Sequence, residues 1–567
     1  MSPADHVATV ESYTHGGDDP GVLSETIGAN FRATAARFPD SQALIEAATG
    51  RSWTYAQLDQ VTDEVARALI GIGIAPGERL GIWSPNCAEW TVLQYATAKA
   101  GIILVNVNPA YRLEELSFVA SQCGMRALAV APSDAQSDFT GMARTVASQD
   151  NALRELIHLP APAGQAGPPD GSAAAGDQVR ELDWDALLDQ AAAVPASRLE
   201  EVMAALDTHD AINLQYTSGT TGFPKGATLS HHNILNNGFH IAELLSYTER
   251  DRVVLPVPFF HCFGMVIGNL AALSHGAATI LPGRSFKPAE TLQAVQDHRG
   301  TSLYGVPTMF IAELALPDFA DYDLSTLRTG VMAGSTCPEE VMERVISEMN
   351  MGEVAICYGM TETSPVSTMT RTDDSLERRT QTVGRTMPQL ESKIVDPATG
   401  DVVPRGATGE LCTRGYAVMK GYWNEPEKTA TAIDTDRWMH TGDLASMDED
   451  GYVRVEGRIK DLIIRGGENV SPREIEEFLY RHPDIQDVQV IGVPDEKYGE
   501  EIMACIILKD GAAGMSLETV REFCAGRIAH YKIPRHVQIR TSFPMTISGK
   551  IRKVEMREEA THLLAGN

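Results

Sequence analysis

Along the first third of the chain, some segments have apolar residues at helical spacing, and others have the short apolar runs of buried strands. In segments 23–38 and 53–74 they repeat every three to four residues, which predicts amphipathic helices. Strands that alternate with helices form parallel sheets covered on both faces, and ligands bind at the carboxyl ends of such strands. The pattern from residue 79 onward predicts such a sheet, in the order strand 79–83, helix 88–100, strand 103–107, helix 113–122 and strand 126–130.

The middle of the chain continues this α/β pattern. Its most apolar long stretch, 264–283, carries Asn269 and His275, so a buried helix and strand are predicted there rather than a membrane span. Segment 161–177 is rich in Pro, Gly and Ala, has no periodicity and predicts a surface loop. Further buried strands are predicted at 211–216, 252–256, 278–281, 302–306 and 329–333.

In the last third of the chain, the pattern of apolar and polar residues changes twice. Between about residues 384 and 454, short β-like segments punctuated by Gly and Pro predict a small, more antiparallel β unit. After residues 457–461 a compact α+β pattern runs to the end. We therefore predict an α/β protein with a large N-terminal domain, 1–459, of parallel α/β sheets plus the small β unit. A small mobile α+β C-terminal domain, 460–567, follows, with the boundary at Lys460.

The amino-acid composition limits which classes of molecule this protein is expected to bind. The 567 residues are 43% hydrophobic and 22% charged, which is typical of an ordinary globular protein. With 47 basic and 76 acidic residues the net charge is −29, so neither nucleic acid nor anionic lipid is an expected partner. The N-terminus lacks the pattern of a secretory signal, and the eight cysteines form no C-x-x-C pair. Reduced thiols and a cytoplasmic location, without stable membrane insertion, are the expectation.

One stretch, 216–226, reads YTSGTTGFPKG and predicts a phosphate-binding loop. Glycine lets backbone N–H groups approach an anion closely, and Lys225 adds a compact positive charge. The hydroxyl and glycine residues between are Thr217, Ser218, Gly219, Thr220, Thr221 and Gly222. Pro224 stands where a Walker A loop has its second glycine, so this loop is of a different type. A mobile Gly/Thr-rich surface loop is the competing interpretation.

Three further clusters have residue types suited to a nucleotide. In YGMTETSP, 358–365, an aromatic ring can stack on a purine, Thr361 offers a hydroxyl, and Glu362 can ligate Mg²⁺ beside phosphates. In MHTGD, 439–443, Asp443 suits paired ribose hydroxyls, and Arg458 could supply the opposite side of the ribose. PMTISGKIRK places Lys550 on a Ser-Gly turn. Taken singly, each cluster could instead be a helix cap, a surface ion pair or a hairpin turn.

Taken together and in this order, these motifs resemble the adenylate-forming (AMP-binding) superfamily, which includes acyl-CoA synthetases, adenylation domains of peptide synthetases and firefly luciferase. The resemblance spans roughly residues 23–558. MKGYWNEPEKTA, 419–430, and GGEN, 466–469, are most similar to fatty acyl-CoA synthetases, medium-chain members in particular.

The resemblance implies two half-reactions: a carboxylate and ATP give acyl-AMP and pyrophosphate, and coenzyme A then displaces AMP. It implies that residues 217–225 hold the β- and γ-phosphates, that Thr361 contacts the α-phosphate and that Glu362 ligates Mg²⁺. Lys550 would bridge the attacking carboxylate and the α-phosphate. The adenine would be lined by Gly334, Ser335, Tyr358 and Gly359, and the ribose bound by Asp443 and Arg458.

The resemblance also implies a domain rotation between the half-reactions, with Lys460 as the hinge. The face that carries Lys550 would then be replaced by the GGEN loop, whose Gly466, Gly467 and Glu468 would border the coenzyme A tunnel. His261, in PFFHCFG, corresponds to a family position near the acyl carboxylate and thiol entrance; a structural histidine is the competing interpretation.

The acyl pocket is predicted to be walled by Phe259, Val306 and Met309. The predicted activity is that of an AMP-forming acid–thiol ligase acting on a medium-chain fatty acid, with an aryl-CoA ligase as the nearest rival. The motifs are also compatible with a carboxylate-adenylating enzyme that uses a different acceptor, and with luciferase-type oxygenation. A non-catalytic nucleotide-binding scaffold would be expected to lose Lys550 or Glu362, and both are present. A homodimer is the candidate assembly.

Overall fold

The computed structural model describes residues 10–134, 137–150, 152–161, 179–217, 224–334, 337–465, 468–495, 497–509, 511–512, 514–545 and 551–565. Its strands are β1 (Tyr13–His15), β2 (Gln42–Glu46), β3 (Arg51–Thr54), β4 (Arg79–Trp83), β5 (Ile103–Val107), β6 (Ala127–Val130), β7 (Glu155–His158), β8 (Arg180–Asp183), β9 (Ala211–Thr217), β10 (Lys225–Ser230), β11 (Arg252–Val254), β12 (Ala278–Leu281), β13 (Ser302–Gly305), β14 (Thr329–Ala333), β15 (Glu353–Gly359), β16 (Val366–Met369), β17 (Arg385–Thr386), β18 (Leu390–Val395), β19 (Gly409–Gly415), β20 (Gly421–Tyr422), β21 (Met439–Met447), β22 (Val453–Arg458), β23 (Ile463–Arg465), β24 (Glu468–Val470), β25 (Ile485–Asp495), β26 (Gly499–Leu508) and β27 (His536–Ile539).

The α-helices are α1 (Ile27–Arg37), α2 (Tyr55–Gly71), α3 (Ala88–Ala100), α4 (Leu113–Cys123), α5 (Phe139–Gln149), α6 (Trp184–Asp189), α7 (Ala196–Ala205), α8 (His231–Leu244), α9 (Ala271–Ser274), α10 (Pro288–His298), α11 (Pro307–Leu314), α12 (Glu339–Glu348), α13 (Leu376–Gln381), α14 (Pro426–Ala432), α15 (Pro472–Leu479), α16 (Leu517–Cys524) and α17 (Lys553–Ala565). A π-helix spans Phe263–Leu270, and short 3₁₀ helices span Gln190–Ala193, Phe319–Asp321, Thr361–Thr363, Ile459–Asp461 and His530–Lys532.

The chain forms two compact units. The larger unit comprises His15–Ser392 and Thr413–Met439; the smaller comprises Met1–Thr14, Lys393–Cys412 and His440–Asn567. The predicted domains 1–459 and 460–567, with their boundary at Lys460, stay a prediction.

Two mixed sheets form the larger unit. One has the order β20-β10-β9-β5-β4-β6-β7-β8, and the other has the order β17-β16-β15-β14-β13-β11-β12-β2-β3. The central strands of both are parallel: β4 pairs with β5 and β6, and β14 pairs with β13 and β15. The α/β class with parallel sheets predicted from the apolar pattern is confirmed.

The predicted helix and strand at 264–283 are both present. The helical part begins with the π-helix, in which all eight residues are buried, and continues as α9 before β12. Among the described residues, no helix is both long enough and apolar enough to cross a membrane.

The smaller unit carries the antiparallel hairpin of β21 and β22 and the sheet of its C-terminal part. That sheet has the order β24-β23-β26-β25, with β27 pairing with β26, and α15, α16 and α17 accompany it. Ile475, Val490, Ile502 and Val520 are among its buried core residues. The α+β pattern expected for this region is therefore present.

A buried ion-pair cluster joins α2 and α3 in the larger unit. The Lys99 side chain is fully buried, and its Nζ lies 2.5 Å from Asp59 Oδ1 and 2.6 Å from Asp63 Oδ1. It also donates to Thr62 Oγ1 at 2.8 Å. The three partners fall at the i, i+3, i+4 spacing of α2, so one face of that helix surrounds a single ammonium group. Full burial of a lysine is tolerated only when it is paired in this way.

Replacing Lys99 with Met should destabilise the protein by about 3–5 kcal/mol, because the change leaves Asp59 without its cation and Asp63 with Arg32 as its remaining partner. The measurement is the free energy of unfolding by urea. Lys287→Met is the matched control: its ion pair with Glu290 is exposed, so at most about 1 kcal/mol should be lost. Equal effects of the two substitutions would contradict a stabilising role for the buried cluster.

Candidate active site

The predicted phosphate loop connects two antiparallel strands of the larger unit. Lys225 begins β10 and pairs with Thr217, the last residue of β9. The Thr217 hydroxyl donates to the Lys225 carbonyl at 3.5 Å. The remaining loop residues, Ser218, Gly219, Thr220, Thr221 and Gly222, lie outside the described residues, so their phosphate contacts stay a prediction.

A tyrosine links Lys225 to Glu362. Tyr422 lies in β20, which pairs with β10 and sets Tyr422 opposite Ala227. The Lys225 ammonium lies 4.9 Å from the centroid of the Tyr422 ring, and the Tyr422 hydroxyl donates to Glu362 Oε1 at 2.7 Å. The predicted phosphate-binding lysine and the predicted Mg²⁺ ligand therefore both contact one aromatic side chain.

The Tyr422 hydroxyl keeps its proton. Burial raises the pKa of Tyr422 above its ordinary value, and the neighbouring Glu362 carboxylate raises it further. The hydroxyl is thus a permanent donor that orients the carboxylate. Sequence reasoning assigned Tyr422 no role, although it lies within the MKGYW segment. Its partner is 60 residues away along the chain, and the amide of Met419, three residues before Tyr422, also donates to the Glu362 carbonyl, so the two segments are held together by tertiary contacts.

Glu362 occupies a rigid turn directly after β15. It lies in the 3₁₀ helix Thr361–Thr363, and both Thr361 and Glu362 are buried. The Thr363 hydroxyl donates to the carbonyl of Pro365 at 2.9 Å, and the Met419 amide donates to the carbonyl of Glu362 at 2.9 Å. These bonds fix the backbone that presents both side chains.

Gly334 and Tyr358, predicted to line adenine, end two neighbouring parallel strands. Ala333 pairs with Cys357, so Gly334 and Tyr358 occupy the next positions at the same sheet edge. Gly359 must be glycine, because a Cβ there would lie 1.7 Å from the Pro365 carbonyl oxygen. Gly334 and Tyr358 are thus brought together, whereas Ser335 lies outside the described residues.

The predicted acyl-pocket residues are buried in one apolar cluster. Phe259 packs edge-on against Trp90 with ring centroids 5.9 Å apart. Val306 and Met309 lie at the N-terminal end of α11, and a Cβ on Gly334 would stand 3.1 Å from Val306 Cγ1. The predicted adenine and acyl walls therefore adjoin at Gly334.

His261 stands just before the π-helix. Its Nδ1 accepts the Phe263 amide at 3.2 Å, and its carbonyl accepts the amides of Gly264 and Met265. These local bonds fit a histidine that starts a helix. The choice between a catalytic and a structural role stays a prediction.

In the smaller unit, Asp443 and Arg458 face each other across β21 and β22. Arg458 Nε donates to Asp443 Oδ1 at 3.1 Å; the aspartate side chain is 10% exposed and the arginine side chain 59% exposed. The Asp443 amide donates to Thr441 Oγ1 at 3.1 Å, which fixes the turn before it. The two residues predicted to bind ribose are therefore adjacent.

The remaining predicted residues also belong to the smaller unit. Lys460 is exposed and lies in the 3₁₀ helix Ile459–Asp461; its role as hinge is a prediction. Glu468 begins β24, and its backbone pairs with Arg465. Gly466, Gly467 and Lys550 lie outside the described residues, so the predicted tunnel and the catalytic role of Lys550 stay predictions.

The donor set at Glu362 fits Mg²⁺. A carboxylate is the hard oxygen ligand that this ion prefers, and one outer hydrogen bond, from Tyr422, orients it.

Comparisons with known proteins identify the family of the chain. Residues 31–423 match the family described as AMP-binding enzyme, and residues 474–550 match the AMP-binding enzyme C-terminal domain. The chain belongs to the AMP-binding enzyme family. The predicted resemblance to adenylate-forming enzymes and the predicted fold class are thereby confirmed.

Three individual proteins show how far the similarity extends. YngI of Bacillus subtilis (strain 168) is 47% identical over 555 residues, covering 96% of this chain and 98% of YngI. Medium-chain acyl-CoA ligase ACSF2, mitochondrial, of Bos taurus is 43% identical, covering 97% of this chain and 89% of ACSF2. The crystal structure of the anthranilate CoA ligase AuaEII with anthranoyl-AMP has a TM-score of 0.81 at 26% identity, covering 96% of this chain and 98% of that chain.

Removing only the Tyr422 hydroxyl should weaken metal binding at the site. In Tyr422→Phe the ring under Lys225 remains, but Glu362 loses the bond that orients it. The Mg²⁺ concentration for half-maximal ATP–pyrophosphate exchange should rise about 10–100-fold, as is typical of an outer-sphere partner.

Two further variants test this assignment. Tyr422→Leu also removes the ring, so it should additionally raise KM for ATP. Tyr480→Phe removes a hydroxyl that donates to Asp487 in the smaller unit and should leave the Mg²⁺ requirement unchanged. An unaltered Mg²⁺ requirement in a stable Tyr422→Phe protein would show that this hydroxyl does not support the metal ligand.

Proposed function

We propose that this protein is an ATP-dependent acyl-CoA synthetase that forms acyl-AMP and then acyl-CoA. The observation that carries the proposal is the connected group of Lys225, Tyr422 and Glu362. Lys225 is a cation for the phosphates and Glu362 a carboxylate for Mg²⁺, and both contact the side chain of Tyr422. A polyphosphate–metal complex needs both, and because the net charge is −29 an anionic substrate must be held by local basic groups.

In the first half-reaction a carboxylate oxygen of the acid attacks the α-phosphorus of ATP, and pyrophosphate leaves. In the second, the thiol of coenzyme A gives up its proton, its sulfur attacks the acyl carbon, and AMP leaves. Lys225 and the loop from Thr217 would hold the β- and γ-phosphates, and Thr361 would contact the α-phosphate. Lys550 would stabilise the charge that builds on the phosphoryl oxygens.

The other roles follow the same assignment. Glu362 would hold Mg²⁺, which supplies charge neutralisation at the phosphate oxygens when bound. Asp443 and Arg458 would bind the ribose, and Tyr358 with Gly334 would line the adenine. Lys460 would serve as the hinge that exchanges the Lys550 face for the GGEN loop between the half-reactions.

For the substrate we propose a medium-chain fatty acid. The name of ACSF2 gives medium-chain acids as the substrates of that relative, and Phe259, Val306 and Met309 form an apolar wall beside Gly334. An aryl acid is the second candidate, because the similar structure of AuaEII contains anthranoyl-AMP.

Location and assembly are separate proposals. The name of ACSF2 gives that relative as mitochondrial, whereas the sequence of this chain predicts the cytoplasm. For the assembly, a homodimer is the candidate.

Lys550→Ala should abolish mainly the adenylation step, because it removes the cation that stabilises the transition state at the α-phosphate. We expect adenylate formation to fall at least about 10²–10³-fold. Conversion of supplied acyl-AMP and coenzyme A to thioester should persist. ATP–pyrophosphate exchange measures the first step and thioester release the second, with Lys509→Ala, an exposed lysine, as the control. Equal losses in both steps would contradict the division of roles.

The substrate profile should peak at medium-length straight-chain acids. Each buried CH₂ should contribute about 0.8 kcal/mol until the pocket ends, after which kcat/KM should fall. Acetate should be a poor substrate, because it is too short to cover the apolar side chains of Phe259, Val306 and Met309. The measurement is kcat/KM over a panel of alkyl and aryl acids, following AMP release with and without coenzyme A. A maximum at acetate, or at benzoates over all alkyl acids, would contradict the medium-chain proposal and leave the ligase proposal standing.

A further inference from the structure

Three metal-ligating side chains meet in the smaller unit outside the residues assigned above. His440 Nδ1 lies 2.9 Å from Glu410 Oε2 and 3.5 Å from Cys412 Sγ. One ligand atom from each side chain lies within 4.8 Å of the other two. Among the described residues this is the one group of three or more such side chains that could hold a metal ion.

The strand geometry explains why they converge. Glu410 and Cys412 are two residues apart on β19, so both side chains leave the same face of the sheet. His440 lies on β21, which neighbours β19 in the five-stranded sheet of order β1-β18-β19-β21-β22. The site therefore has two ligands at i and i+2 on one strand and a third on the neighbouring strand. Backbone hydrogen bonds between the two strands hold the three ligands in place.

The donor types match zinc better than the magnesium assigned to Glu362. A thiolate, an imidazole nitrogen and a carboxylate oxygen are the three ligand types of Zn²⁺, whereas Mg²⁺ takes oxygen ligands. With Zn–ligand bonds of about 2.0–2.3 Å, tetrahedral ligands stand roughly 3.3–3.7 Å apart. The 2.9 and 3.5 Å separations seen here therefore need only a small adjustment of side chains.

The surroundings already orient the site. The second carboxylate oxygen of Glu410 accepts the Gly442 amide at 3.0 Å, and the Thr441 hydroxyl donates to the Leu411 carbonyl at 2.7 Å. Hydrogen bonds of this type, made by groups outside the ligand set, orient the ligands before a metal ion binds. Cys412 is fully buried, while the side chains of Glu410 and His440 are 13% and 32% exposed, so an ion can enter from their side.

We propose that Glu410, Cys412 and His440 form a zinc site of three protein ligands, with water as the fourth. Binding replaces the thiol proton of Cys412 with the metal, and that proton leaves to solvent. The proposal concerns metal binding and does not depend on the proposed activity.

The test is titration of the chelator-treated, full-length protein with Cd²⁺ and Zn²⁺ in a reductant that contains no thiol. Cd²⁺ bound through Cys412 should produce near-ultraviolet sulfur-to-metal charge-transfer absorption at one equivalent. Zn²⁺ should displace it and raise the melting temperature, because the ion binds the folded chain.

Three substitutions distinguish the ligands. Cys412→Ala should remove the absorption band and the thermal shift. Glu410→Gln keeps the side-chain shape and the acceptor for Gly442, and it should weaken Zn²⁺ binding at least as much as loss of an outer partner does, about 10–100-fold. Cys505→Ala, at another buried cysteine on a strand, should change neither signal.

Absence of the band in the wild-type protein would overturn the proposal, and so would a band that survives in Cys412→Ala. If Cys412→Ala does not fold, Glu410→Gln decides: unchanged Zn²⁺ affinity in that variant would show that the three side chains are only a hydrogen-bonded cluster.

Discussion

The hydrogen bond from Tyr422 to Glu362 is the interaction on which the arrangement of the larger unit's candidate site depends. A buried carboxylate must be paired or hydrogen-bonded, and here the partner is a neutral hydroxyl that leaves its charge intact. The same ring faces Lys225, so a cation and an anion approach each other without forming a direct ion pair. Both charges therefore remain available to a ligand that carries phosphates and a metal ion.

Parallel pairing supplies the rest of the geometry. Because β13, β14 and β15 run in one direction, the residues at their carboxyl ends lie at one edge of the sheet. Val306, Gly334 and Tyr358 come from those three strand ends, far apart in sequence and adjacent in space. An apolar wall and an aromatic face thus meet at a glycine, an arrangement that suits a molecule with an acyl end and a nucleotide end.

Much of the fold could be predicted from local pattern. The strands Arg79–Trp83 and Ile103–Val107 and the helix Ala88–Ala100 have the predicted bounds, because apolar runs between polar breaks carry enough information at short range. The start of the helix in segment 53–74 differs from the prediction: β3 ends at Thr54, whose side chain caps α2 by accepting the amide of Gln57. The T-x-x-Q capping signal for that start is present in the sequence.

The sequence by itself determined the α/β class, the order of the motifs and the identity of the candidate ligands, since these depend on residue type and short-range spacing. Only the tertiary structure decided which side chains meet. It brought Tyr422 to Glu362, set Asp443 opposite Arg458, surrounded Lys99 with two carboxylates, and gathered Glu410, Cys412 and His440 on one face of a sheet. These contacts depend on which strands and helices become neighbours, and that choice is made by long-range packing that no local spacing encodes.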